Sequence, residues 1–358
     1  MLLVLTLMAV IWGVGYLMKA PARQRLLMIA ALWLAVIAEH LLLPDGHPLR
    51  LATGGSARVW VVLGGLVALG AIYRIGLGRL HARATPPVAA PPRQTGPFAA
   101  EELERYSRHI LLREIGGPGQ RKLKDAKVLV IGAGGLGAPA LLYLAAAGVG
   151  TIGVIDDDRV EGSNLQRQVI HSADRIGQPK VQSAEIAMRA LNPFITVRPY
   201  ERRLNDGNAA ALFADYDLVL DGSDNFDTRY LANRVAAGLG KPLVAAAITQ
   251  WEGQISLYDP ARGGPCYACV FPRRPAPGMV PTCAEAGVVA ALPGVLGAMM
   301  ALEAIKAITG AGETLRGRMT IFDGLHGETR TIALKRDEDC PVCGRTHGQR
   351  FTLASPAT

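Results

Sequence analysis

No charged residue occurs between Met1 and Met18. A secretory signal peptide opens on a positively charged segment, so a cleaved signal followed by core helices is the weaker reading of this start. No internal repeat of solenoid length is present, which excludes stacked-repeat architectures. Cysteine is scarce, with five in 358 residues, and its spacing carries more information than its number.

Apolar residues are abundant, at 50% of the chain, and the excess sits at the N-terminus. Residues 1–18, 26–43 and 59–75 are each about long enough to cross ~30 Å of hydrocarbon as a helix. They predict a transmembrane anchor over residues 1–84 with three spans. Lys19, Arg23 and Arg25 follow the first span without an acid, and Arg74, Arg79, Arg83 and Arg93 follow the third before Glu101. Cationic flanks mark cytoplasmic ends, so the expectation is a multi-pass protein of the inner, cytoplasmic membrane with its N-terminus outside and its bulk in the cytoplasm. Glu39 and His40 lie near the end of the second span, where reaching out to the interface is the expected behaviour. The net charge of +8 is partly explained by these flanks, which suit an anionic leaflet, and it gives no ground for a nucleic-acid partner.

Residues 85–97, with Pro86, Pro87, Pro91, Pro92 and Pro97, read as an extended linker. A helix-compatible stretch over 99–114 precedes a β-branched run, Lys127–Ile131, bounded by Asp125 and Gly132. Strands over 151–155, 195–199, 217–220, 243–248 and 253–258 then alternate with helices over 179–191 and 227–237. This order predicts an α/β domain over 98–345, a Rossmann-like, doubly wound and mostly parallel sheet, with 346–358 as a tail.

Directly after the first strand comes Gly132-Ala133-Gly134-Gly135-Leu136-Gly137, opening a helix to about Ala147. Glycines there allow a tight turn and bring backbone N–H groups to phosphate at a helix terminus. The same device serves NAD and FAD enzymes, and Asp156 suits ribose hydroxyls in either case. The following residues separate these readings. Ser163-Asn164-Leu165-Gln166-Arg167-Gln168 and Gly177-Gln178-Pro179-Lys180 place Asn164, Arg167 and Lys180 beyond the second strand, cations suited to clamping a triphosphate. Asp221-Gly222-Ser223-Asp224-Asn225 puts acids at the carboxyl edge of the sheet, where Mg²⁺ bridging phosphates needs a carboxylate. Asp221 or Asp224 as a helix cap is the alternative. His109 and His171 match no base, cation or metal spacing and read as surface or packing residues.

With Arg105-Tyr106-Ser107-Arg108 and Thr282-Cys283-Ala284-Glu285-Ala286-Gly287 added, these ordered motifs resemble those of the MoeB/ThiF/HesA adenylyltransferases over residues ~98 to 345. The resemblance implies ATP on the loop of Gly132, Gly134, Gly135 and Gly137, ribose on Asp156, phosphates near Ser163, Asn164, Leu165, Gln166, Arg167 and Lys180, and Mg²⁺ on Asp224 beside Asn225. Arg108 is similar to the arginine that family members lend to a neighbouring subunit, implying a homodimer. The implied reaction joins AMP to the C-terminal carboxylate of a ubiquitin-like sulfur carrier. Thr282 to Gly287 resembles molybdopterin-synthase activators, whereas Phe322-Asp323-Gly324 and Cys340-Pro341-Val342-Cys343 also resemble thiamine-pathway members.

Four cysteines fall as Cys266-x-x-Cys269 and Cys340-x-x-Cys343, a spacing that gathers two thiolate pairs around tetrahedral zinc. A closed four-sulfur site serves the fold rather than catalysis. Cys283 is left over, as a thiol for a thioester or persulfide or as a spare thiol. The chain ends soon after Cys343, without the C-terminal rhodanese domain of some relatives, so sulfur is expected from a separate donor protein. A flavin or nicotinamide oxidoreductase has no use for Asn164, Arg167 and Lys180, and a non-catalytic, membrane-tethered docking protein has no need of the full set of ATP contacts.

Overall fold

The computed structural model describes residues 1–54, 56–84, 97–276 and 286–344. Cys283, nearly all of the linker and the tail lie outside them. The chain divides into two compact units, Met1–Arg93 and Gln94–Thr358.

In the first unit, helices α1 (Leu2–Leu17), α2 (Ala22–Leu42), α3 (Pro48–Thr53) and α4 (Ala57–Ala84) pack around Val4, Val36 and Trp60. By length and composition, Ala22–Leu42 and the Ala57–Arg74 part of α4 are each able to cross a membrane. The 16 residues of α1 rise roughly 24 Å at 1.5 Å each, short of the ~30 Å that the expected first span requires. Glu39 and His40 turn inward instead of reaching for an interface. Thr53 Oγ1 donates to Glu39 at 3.0 Å, and buried His40 sets Nδ1 2.9 Å from the Val36 carbonyl. Among the described residues, the Nε2 of His40 is buried without a partner.

The second unit begins with α5 (Ala100–Ile110) and α6 (Gly116–Asp125). The single helix expected over 99–114 stops at Ile110, and the next begins at Gly116, whose φ of +61° costs a glycine little. The remaining elements are β1 (Lys127–Ile131), α7 (Gly137–Ala147), β2 (Thr151–Asp156), α8 (Lys180–Leu191), β3 (Thr196–Glu201), α9 (Asp206–Ala214), β4 (Leu218–Asp221), α10 (Phe226–Gly238), β5 (Leu243–Ile248), β6 (Glu252–Tyr258), α11 (Tyr267–Val270), α12 (Ala291–Thr309), β7 (Arg318–Asp323) and β8 (Glu328–Ala333).

The eight strands lie in the order β3-β2-β1-β4-β5-β6-β7-β8. The first five pair in parallel and the last three are added antiparallel, so the sheet is mixed, with its parallel part the larger. Strands buried on both faces read as continuous apolar runs. Val128 and Val130 of β1 face the core shared with α7, α8 and α12. Leu129 and Ile131 face the opposite core, with Phe213 of α9 and Leu231 of α10. Although α12 is long and apolar enough to span a membrane, its Leu296 and Met300 are fully buried in the core shared with α7 and α8, and it is a core helix.

The turn from β1 into α7 fixes the site. A Cβ on Gly137 would lie 1.9 Å from the Gly132 carbonyl oxygen, and one on Gly297 of α12 would lie 2.3 Å from the Leu136 carbonyl oxygen. Buried His171 braces the turn from beneath, with Nε2 2.9 Å from the Ala133 carbonyl and Nδ1 2.9 Å from Ser183 Oγ. Burial is the main cause that lowers its pKa below that of ordinary imidazole.

Two predictions follow from these contacts. Gly137→Ala should lower the thermal unfolding midpoint, reflecting a cost of about 1–3 kcal/mol or more for overpacking. Gly294→Ala, where nothing lies within 4 Å, should not, and equal effects would sink the close-approach account. Because folded His171 resists protonation and the unfolded imidazole titrates near ~6.5, stability should fall as pH drops below that value. His171→Gln should show a shallower loss between about pH 7.5 and 5.5, whereas an unchanged slope would mean that His171 is not the titrating group.

Candidate active site

The carboxyl ends of β1, β2 and β4 open onto a cavity of about 800 Å³, lined in part by Gly132, Gly134, Gly135, Asp156, Asp158, Arg167, Gln168, Lys180, Asp224 and Asn225. This is where ligands bind in open α/β sheets. Gly132 turns the chain with φ of +88°, and the Ala133 N–H donates to Asp156 Oδ2 at 2.7 Å. The Asp158 N–H donates to the other oxygen of Asp156 at 2.8 Å. Burial raises the pKa of Asp156 against these two hydrogen bonds. Asp156 therefore holds the glycine turn to the end of β2 while also facing the cavity.

Lys180 is 4% exposed and sits at the first position of α8, with Nζ 2.7 Å from the solvent-facing carboxylate of Asp158. Arg167 donates to Asn164 Oδ1 at 3.0 Å, so Asn164 aims the guanidinium. Ser163, Asn164, Leu165 and Gln166 form the short turn before Arg167 and do not line the cavity, nor does Gly137, whose Cβ position is filled by backbone. Asp221 Oδ1 accepts from the Ser223 N–H at 2.9 Å and from its hydroxyl at 2.6 Å, tightening the turn. The helix cap is Asn225, which accepts from the Thr228 N–H at 2.9 Å. Asp224 is exposed to the cavity, and among the described residues its carboxylate has no hydrogen-bonding or ionic partner, a fit to a hard cation on phosphate.

Sequence reasoning missed Gln168, Arg202 and Arg203, which also line the cavity. Gln168 is 4% exposed and its Oε1 has no partner; its place in the Ser163–Gln168 motif was the available signal. Arg202 and Arg203 follow β3 and are brought beside Asp156 by sheet pairing, which no local motif announces. Arg108 is exposed on α5 and does not line this chain's cavity.

The four cysteines converge although they come from α11 and from the segment after β8. Sulfur separations are 3.6 Å for Cys266–Cys340, 3.4 Å for Cys269–Cys343 and 3.8 Å for Cys266–Cys269. A tetrahedron with Zn–S bonds of ~2.3 Å has edges of roughly 3.8 Å, so the set fits zinc. Burial pushes the Cys266 thiol well up, and a bound cation would reverse that.

The profile described as the ThiF family matches residues 106–342. The sulfur carrier protein adenylyltransferase of Thermus thermophilus is 49% identical over 257 residues, covering 71% of this chain and 95% of that protein. The probable adenylyltransferase/sulfurtransferase MoeZ of Mycobacterium tuberculosis is 51% identical over 259 residues, 72% of this chain and 65% of that longer protein. The crystal structure of E. coli MccB with ATP superposes with a TM-score of 0.58 at 25% identity, over 67% of this chain and 74% of MccB. A match running from within α5 to the second cysteine pair, carried by relatives near half identity across the whole glycine-turn unit, makes this chain a member of the ThiF family.

Proposed function

We propose that this chain uses ATP to adenylylate the C-terminal carboxylate of a ubiquitin-like sulfur-carrier protein. The single observation that carries the reading is buried Lys180 facing the same cavity as the glycine turn and Arg167. An ammonium held in such a cavity against an exposed carboxylate is available to an anion. The names of the Thermus and Mycobacterium relatives point to the same chemistry.

In this reading the backbone N–H groups of the turn and the N-terminus of α7 bind phosphate, and Asp156 takes the ribose. The carrier carboxylate, already ionised at pH 7, attacks the α-phosphorus and pyrophosphate leaves. Arg167 and Lys180 stabilise the charge that builds on the leaving phosphates, joined by Arg108 lent across a homodimer. Magnesium, held by Asp224, would neutralise phosphate charge when bound, and zinc on the four cysteines would staple the fold. The acyl adenylate then passes to sulfur with release of AMP, through Cys283 or directly to a separate donor protein. The molybdopterin-synthase small subunit is the favoured carrier on the Thr282–Gly287 motif, with the thiamine-pathway carrier as the second reading.

The first unit anchors the enzyme in the cytoplasmic membrane. Support comes from the length and composition of α2 and α4, and the cationic flanks favour a cytoplasmic side for the catalytic unit.

Detergent-solubilised full-length protein should catalyse ATP–pyrophosphate exchange with one of the two carriers. Asp224→Ala should abolish exchange, and Lys180→Met or Arg167→Ala should slow it by about two to three orders of magnitude. Absence of exchange with either carrier would favour a membrane-tethered docking role. The full chain should also remain in the membrane pellet after an alkaline carbonate wash, whereas a chain lacking residues 1–84 should be released; release of both would remove the anchor.

A further inference from the structure

Asn233 lies on α10, two turns beyond Asn225, and is 1% exposed. Its Oδ1 accepts from the Tyr267 N–H at 2.8 Å, and its Nδ2 lies 3.6 Å from Cys266 Sγ. The amide orientation follows from chemistry, because a backbone N–H can only donate and must face the oxygen, leaving the NH₂ group on the sulfur. A neutral thiol is a weak acceptor, whereas a metal-bound thiolate accepts well. A buried amide donor aimed at sulfur is therefore the partner a metal-bound cysteine requires.

The same residues reach the nucleotide cavity. Tyr267, next to Cys266, packs edge-on against Tyr230 with ring centroids 5.3 Å apart and tilted over Phe271 at 4.8 Å. The Tyr230 hydroxyl donates to the Phe271 carbonyl at 2.7 Å, and all three rings line the cavity. Arg229, one turn before Asn233, is buried and donates to the Ser223 carbonyl, within the turn that ends in Asp224. One helix thus holds the acidic turn at its start and touches the sulfur cluster further along.

We propose that Asn233 is a positioning residue that donates a hydrogen bond to the metal-bound Cys266 thiolate and, through α10 and α11, couples metal occupancy to nucleotide binding. This rests on the cysteines holding zinc and not on which carrier is used. The competing role is that Asn233 only caps α11 through the Tyr267 N–H. Asn233→Asp separates the two, since the isosteric carboxylate keeps that acceptor and removes the donor to sulfur.

The experiment uses full-length protein in detergent. Zinc release to a chromogenic chelator is followed with and without ATP, alongside the thiolate-to-cobalt charge-transfer band of the Co²⁺-substituted form. The wild type should hold one zinc per chain and, at equilibrium with the chelator, bind it more tightly with ATP, because coupling between the binding free energies of two sites is reciprocal. Asn233→Asp should bind zinc about 10–100-fold more weakly, shift the charge-transfer band and lose much of the protection by ATP. Should that variant not fold, Asn233→Ala, which removes acceptor and donor together, should still shift the charge-transfer band, a signature that loss of the helix cap alone would not move. Wild-type zinc affinity and an unmoved band in the substituted protein would leave only the helix cap and overturn the proposal. A wild type that takes up no zinc would overturn the metal site itself, while the exchange reaction would still report separately on the adenylyltransferase reading.

Discussion

The active-site end of the second unit depends on backbone meeting backbone between β1 and α7. The Gly137 Cα sits so near the Gly132 carbonyl that no side chain fits between them, and the Leu136 carbonyl is approached as closely by Gly297 of α12. These contacts let the chain leave the sheet and enter a helix within a few residues. The start of α7 then faces the space beyond the strands, where the partial positive charge of a helix N-terminus accumulates. The neighbouring groups answer that geometry. Asp156 accepts from the Ala133 N–H, and His171 meets the Ala133 carbonyl, so the peptide units around Ala133 are held from both sides.

Charge around this turn is paired and aimed within the chain itself. Lys180 is buried yet ion-paired with an exposed acid, and Arg167 is aimed by Asn164. A cation held this way has little conformational freedom left to lose. Asp224 stands apart, exposed at the cavity rim, while its neighbours Asp221 and Asn225 are committed to the turn and the helix cap. The division of labour among these three residues follows from burial, because a carboxylate bound to N–H and hydroxyl donors inside the turn is no longer available to a metal.

Much of this was legible along the chain. The parallel strands are buried on both faces and therefore spell themselves as apolar runs, and the glycine turn, Lys180, Arg167 and the paired cysteines stand in short motifs whose chemistry is local. The expected strands from β1 through β6 correspond to observed ones with ends shifted by a residue or so. The antiparallel edge was not legible, because β8 is exposed along its whole length and carries no apolar run. The helix over 99–114 misled because its composition continues past Ile110, while the break depends on the backbone at Gly116.

The sequence by itself determined the layered α/β class, the separate apolar N-terminal segment, the glycine turn with its cationic motifs and the two cysteine pairs, because periodicity and short spacing are properties of neighbouring residues. Only the tertiary structure decided that His171 braces the turn, that Arg202 and Arg203 join the cavity from β3, that Asn225 and not an aspartate caps α10, and that Asn233 reaches Cys266. Each of these depends on strand order and helix packing, which bring together groups from separate segments of the chain, and burial then determines which polar atoms must pair.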